Sequence, residues 1–160
     1  MGPYNIDIRT AENCGPKSGE GLVFDPHIKK INRSTFILDA AIQTSVDYDD
    51  SMTLLVDMAL FTNNGWKENY YKQSFPKACT VTKFWGGELF KELMKRIGVK
   101  ARCPIPKGNY TVKGWMLKLE VPSIPVWYYN KYRWRGTVSK DGHTVGCLGA
   151  IVDVVPKKNH

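Results

Sequence analysis

The chain has 160 residues, 42% hydrophobic and 24% charged, which is enough for one globular domain over residues 1–160 and too little for two of ordinary size. Twenty-three Lys and Arg against 15 Asp and Glu leave a net charge of +8, so anionic partners are favoured, and nucleic acid, acidic lipid and acidic glycans stay open on charge alone. Aromatics at 12% argue against low-complexity disorder, and no apolar run approaches the roughly 20 residues of a membrane-spanning helix.

The opening Met1-Gly2-Pro3-Tyr4-Asn5 lacks a basic segment followed by an apolar one, so a secretory leader is expected either to have been removed or never to have been present. From Thr35 to Val46, Phe36, Leu38, Ala40, Ile42 and Val46 share one parity and Thr35, Asp39, Gln43 and Ser45 the other, the pattern of a half-buried strand. After the polar turn 47–51, Met52, Leu54, Val56, Met58 and Leu60 alternate up to Asn63-Asn64-Gly65. That turn starts a returning strand, Trp66 to Phe75, closed by Pro76.

Between Phe84 and Ile97 the period changes. Leu89 with Leu93, and Phe90 with Met94 and Ile97, fall on one stripe opposite Lys91, Glu92 and Lys95, which predicts one amphipathic helix stopped by Gly98. Strands return over Asn109 to Leu119, Tyr129 to Val138 and Thr144 to Val155, with Asp141-Gly142 as the last hairpin turn. Strands joined by short turns with a single helix predict an all-β fold, an antiparallel sandwich rather than a parallel α/β sheet.

The cysteines, Cys14, Cys79, Cys103 and Cys147, are dispersed, without a Cys-x-x-Cys pair or a histidine at ligand spacing. This argues for two disulfides, in one of three pairings, and against a zinc site. The sequons Asn32-Arg33-Ser34 and Asn109-Tyr110-Thr111 agree with secretion and mark Asn32 and Asn109 as candidate glycosylation sites.

Enzyme signatures are missing: the sequence has no Gly-x-Ser-x-Gly elbow, no phosphate loop and no His-Glu-x-x-His, and Gly86-Gly87 is too short a signal for phosphate. His27, His143 and His160 read as solvated. Asp49 with Asp50, and Asp39 with Asp57, read as turn and strand-face residues rather than a general acid and base. Arg133 and Arg135 interleave with Tyr132 and Trp134, which strand alternation produces without any nucleic-acid partner.

The stretch Cys103-Pro104-Ile105-Pro106-Lys107-Gly108-Asn109-Tyr110-Thr111-Val112, the Pro-rich segment Val121-Pro122-Ser123-Ile124-Pro125-Val126-Trp127, and the run from Tyr132 through Asp141-Gly142 to Gly146-Cys147 resemble the ganglioside activator family. Asn13-Cys14 matches its opening Asn-Cys. The chain is also similar to insect chemosensory CheB-type proteins, within the wider lipid-recognition (ML) folds. The resemblance implies a β-cup around a hydrophobic cavity, with mobile loops at its mouth, no catalytic residue, no cofactor and no metal. It also implies the pairs Cys14–Cys147 and Cys79–Cys103. The family's two further disulfides have no counterpart here, their region being replaced by the segment between Trp66 and Gly98.

The expected function is a secreted, non-enzymatic protein that binds or transfers a lipid or other long hydrophobic molecule, such as a pheromone or cuticular hydrocarbon. Its expected ligand-binding residues are Phe36, Leu38, Ile42, Leu54, Val56, Met58, Trp115, Leu117 and Trp134 on strands, Phe90, Leu93 and Met94 on the helix, and Ile124 and Trp127 in the Pro-rich segment. Such residues line a cavity or fill a core with equal ease. The rival reading is a basic module with a filled core that docks on anionic membranes or glycans; it differs in its sensitivity to salt. Neither reading identifies a receptor.

Overall fold

A computed structural model describes residues 1–16, 21–119 and 125–157. Alternating segments form strands β1 (Tyr4–Asn13), β2 (Leu22–Lys30), β3 (Phe36–Thr44), β4 (Thr53–Thr62), β5 (Gly65–Phe75), β6 (Gly108–Leu117), β7 (Asn130–Lys140) and β8 (His143–Pro156), with helix α1 (Ala78–Ile97) between β5 and β6. All strand pairings among the described residues are antiparallel. One sheet has five strands in the order β1-β8-β7-β4-β5 and the other three in the order β2-β3-β6. Among the described residues the fold is therefore all-β with one helix, as the alternation predicts.

Bulges reset the alternation at defined points. On β6, Lys113 and Gly114 stand opposite Asp39 alone; Gly114 takes φ 64° and its N–H donates to Asp39 Oδ1 at 2.7 Å. This extra residue lets Val112, Trp115 and Leu117 all face the core. On β5, Glu68, Asn69 and Tyr70 stand opposite Ala59, and Asn69 adopts φ 55°. Tyr70 and Tyr71, adjacent in sequence, thereby both reach β7, Tyr70 stacked on Tyr132 and Tyr71 tilted against Trp134 at ring distances of 6.2 and 6.4 Å.

The main core joins the two sheets through Ile8, Met58, Tyr132 and Val152 on the wider one and Phe36, Val112, Trp115 and Leu117 on the narrower. Edge strands β1 and β2 meet where Lys30 Nζ lies 2.5 Å from Asp7 Oδ1, a contact of charges rather than an aligned hydrogen bond, with Asp7 only 3% exposed. Cys14 is joined to Cys147 and Cys79 to Cys103, and no described cysteine is free. Closing a loop with a sequence separation of 133 stabilises by about 5 kcal/mol in the chain-entropy model.

Helix α1 begins well before the amphipathic stripe that marks it in the sequence, because other elements hold its first turns. Lys77 at the N-cap offers no side-chain bond, and Asp50 supplies the missing acceptor from the β3–β4 connection. Thr80 donates its N–H to Asp50 Oδ1 at 2.8 Å and its hydroxyl to Oδ2 at 2.6 Å, satisfying an otherwise orphan helix donor. The Tyr48 hydroxyl lies 2.6 Å from Thr82 Oγ1, and the Ala78 N–H donates to Met52 O at 3.0 Å. The helix then bends at Gly87, whose φ 52° and ψ −125° are open essentially to glycine alone. Gly86 before it must also be small, since a Cβ there would lie 2.9 Å from Phe90 Cβ.

Candidate functional site

The facing sheets differ by two strands, and at about 4.8 Å per strand roughly 10 Å of the wider sheet's inner face extends beyond its partner. Cross-strand register brings four rows of side chains to that face. Ile6 lies opposite Val154; Ile8 opposite Val152, itself opposite Tyr132; Ala150 opposite Trp134, followed by Met58 and Tyr71; and Leu54 opposite Phe75. Beneath the narrower sheet these side chains are packed. Beyond it they border a cavity of about 570 Å³.

The floor of this cavity is the wide sheet itself: Tyr4 and Ile6 from β1, Ala150, Val152 and Val154 from β8, Trp134 from β7, and Leu54 and Val56 from β4. Its sides are Tyr71 and Phe75 of β5, the arm of α1 before the bend through Thr82, Trp85 and Gly86, Leu119 just past β6, and Trp127 just before β7. No described lining residue belongs to β2, β3 or β6, and none is charged. Thr82 is already bonded to Ala78 O and the Tyr48 hydroxyl, and Tyr71 donates to Gln73 Oε1 at 2.6 Å, so little hydrogen-bonding capacity points inward. Burial holds the Tyr4 phenol above its ordinary pKa, and the same cause, with the charge of Asp50, raises Tyr48 against the opposing bond to Thr82. Both stay neutral in ordinary buffers. Most of the lining is half-buried or buried; Tyr71 and Trp85, at 39% and 53% exposure, mark the mouth.

Of the residues expected to bind ligand, Leu54, Val56, Trp127 and Trp134 lie on this cavity. Phe36, Met58, Trp115 and Leu117 are in the packed inter-sheet core, with Leu38 and Leu93 against it, because the narrower sheet covers that part of the wide one. Phe90 and Met94 are buried beyond the helix bend, and Ile42 is half-buried on β3, opposite Phe24 and Tyr110. None of these lines the cavity. Ile124 and His160 lie outside the described residues. The Trp127 ring turns inward, edge-on to Tyr132 at 6.2 Å and tilted on Trp134 at 6.3 Å, while its backbone exchanges two hydrogen bonds with Gly2. Asn32 and Asn109 are exposed.

Sequence reasoning missed Tyr4, Ile6, Ala150, Val152 and Val154, which required knowing that β1 and β8 border the uncovered half. It also missed Trp85. The signal was present there: Phe84-Trp85 sits off the apolar stripe, immediately before two glycines. The acidic residues considered as a general acid and base do structural work: Asp57 accepts from Arg135, Asp39 from Gly114, Asp49 from Ser51 and Asp50 from Thr80. An apolar space of this size with an aromatic mouth can sequester an apolar molecule; its described lining holds no nucleophile with a base beside it.

Neither a protein-family model nor a curated protein matches the sequence. Among solved structures, the chain is similar to chicken MD-1 complexed with lipid IVa, at 15% identity and a TM-score of 0.40, over 96% of this chain and 98% of that one.

Proposed function

We propose that this protein is a lipid-recognition β-cup that binds a lipid or other long, uncharged hydrophobic molecule without transforming it. The observation that carries the reading is the cavity of about 570 Å³ between the uncovered sheet and the helix, uncharged in its described lining and within the roughly 300–1,000 Å³ range of small-molecule sites. Burying about 300 Å² of alkyl surface at roughly 25 cal/mol per Å² contributes on the order of 7 kcal/mol before ordering costs, enough for micromolar binding.

The two disulfides are the pairs the ganglioside activator resemblance implies, and they support assignment to that family. Two cross-links with no described thiol left over support secretion, and exposed Asn32 and Asn109 suit glycosylation. The ligand class includes contact pheromones and cuticular hydrocarbons, since neither needs a charged partner. Native mass spectrometry of the purified protein, followed by organic extraction, tests the reading. A co-purifying apolar compound at one per chain is expected. A chain that stays empty and accepts no long-chain alcohol, ester or hydrocarbon would refute it.

A further inference from the structure

We propose that the corner where α1 ends and the chain turns toward β6 is a docking surface for a sulfated polysaccharide, separate from the cavity. Residues 93–119 contain seven Lys and Arg and no acidic residue, a local charge of +7 in a chain whose net charge is +8. Four of the seven, Lys95, Arg96, Lys100 and Arg102, fall within eight residues, the density of a polyanion-binding patch. The backbone keeps them together. Gly98 donates its N–H to Lys95 O at 3.2 Å, Val99 to Met94 O at 3.0 Å and Arg102 to Lys100 O at 2.8 Å, and Cys103 is then fixed to Cys79. At no more than about 3.5 Å per residue, Gly98 to Cys103 spans at most about 18 Å, so the cations form one short ridge rather than a scatter.

Helix capping does not account for these charges. Lys95 and Arg96 suit the negative end of α1, but carbonyls there already accept from Gly98 and Val99, and Lys100 and Arg102 lie beyond the helix. All four residues are exposed. Arg96 is held by Glu92 Oε1 at 3.1 Å and by the Trp115 ring, whereas Lys95, Lys100 and Arg102 join no ion pair among the described residues. Glu88 is taken by Lys91 at 3.3 Å, and Asp50, beside the Cys79–Cys103 link, by Thr80. What the ridge lacks selects its partner. No large hydrophobic residue between 86 and 115 is exposed, so nothing here can enter acyl chains or stack on bases. The two disulfides suit an oxidising medium, where sulfated polysaccharide rather than nucleic acid is the extended polyanion at hand. Closely spaced sulfates along one chain match closely spaced ammonium and guanidinium groups. The described lining of the cavity takes nothing from residues 87–118, so ridge and cavity can be filled together.

The test is calorimetric titration of the full chain with a heparin oligosaccharide at about 0.15 M salt and above. The wild type is compared with Lys100→Glu/Arg102→Glu, with the milder Lys100→Ser/Arg102→Ser, and with Lys67→Glu/Lys72→Glu, a charge-matched pair on β5. All of these positions are exposed and none lines the cavity. The expected result is saturable binding that is at least about tenfold weaker in Lys100→Glu/Arg102→Glu, several-fold weaker in the serine pair, and within about twofold of wild type in the β5 pair; both ridge pairs should lower the dependence of log affinity on log salt by about two. Affinity for the apolar dye N-phenyl-1-naphthylamine reads the cavity separately and should stay within about twofold throughout, with heparin present or absent. No binding of heparin, an equal loss in the β5 pair, or ridge variants that bind as the wild type does would overturn the docking surface. Equal affinity for phosphatidylserine vesicles or single-stranded DNA would overturn its assignment to a polysaccharide.

Discussion

Met58 and Tyr132 in one part of the wide sheet's inner face, and Leu54 and Val56 in another, come from strands with the same apolar alternation. The first pair meets Trp115 and Phe36 across the sandwich and is packed; the second faces open space under the helix. The difference lies in what stands opposite. Three strands cannot cover five, and the helix that closes the gap is bent by Gly87 so that its first arm edges the gap instead of filling it. Burial pattern alone therefore places a residue on the inner face, and strand count in the opposing layer decides whether that position is core or site.

Three changes break or sharpen this comparison. The largest effect is expected from Trp115→Ala in the packed half. Trp115 is buried beneath the Arg96 guanidinium, which lies 5.4 Å from its ring centroid, and truncation should cost about 3–5 kcal/mol in urea or thermal unfolding. Dye affinity of the folded fraction should stay within about twofold. A variant of near-native stability that no longer binds dye would merge the two halves.

Gly87→Ala comes next. Nothing crowds a Cβ there, so the cost is backbone strain, about 1–3 kcal/mol, or roughly 2–4 °C of melting temperature per kcal/mol. The bend that spreads the helix from the sheet is what this substitution strains, so dye affinity should change along with stability. An unaltered melting temperature would mean that the bend is not needed.

The smallest effect is a pH slope. Hydrogen bonds from the Thr80 side chain and backbone hold the Asp50 carboxyl below its ordinary pKa, and Ser51 does the same for Asp49. A lowered folded-state pKa gives stability that is present above the unfolded value, about 3.9, and is lost as pH falls through the folded value. Asp50→Asn should therefore be less stable than wild type at pH 7, with a shallower loss on acidification below about pH 4. Identical acid profiles would show that Asp50 contributes nothing to holding the first helical turn.

Legibility in the sequence followed the same division. Strands β3, β4, β5, β7 and β8 announce themselves by alternation and by Asn-Gly or Asp-Gly turns. Strands β1 and β2 do not: β1 loses phase at a bulge between Ile8 and Thr10, and β2 carries Pro26, tolerated because β2 is an edge strand. The helix after Gly87 shows its stripe, whereas the arm before it exists through tertiary bonds from Tyr48, Asp50 and Cys103 that no local pattern encodes. The cavity was readable only as a set of inward positions. Trp115 and Trp134 look alike in sequence, and only the mismatch between the sheets separates core from lining.

Dye titration of Val56→Trp, at low and high salt, tests the central claim most directly. Val56 lines the cavity opposite Gly136, so an indole there occupies ligand space without displacing packed neighbours. The account predicts saturable binding of N-phenyl-1-naphthylamine to the wild type that is indifferent to salt, and affinity at least about tenfold weaker in Val56→Trp, whose melting temperature is equal or higher. Undiminished binding in Val56→Trp, or wild-type binding that disappears as salt rises, would contradict it.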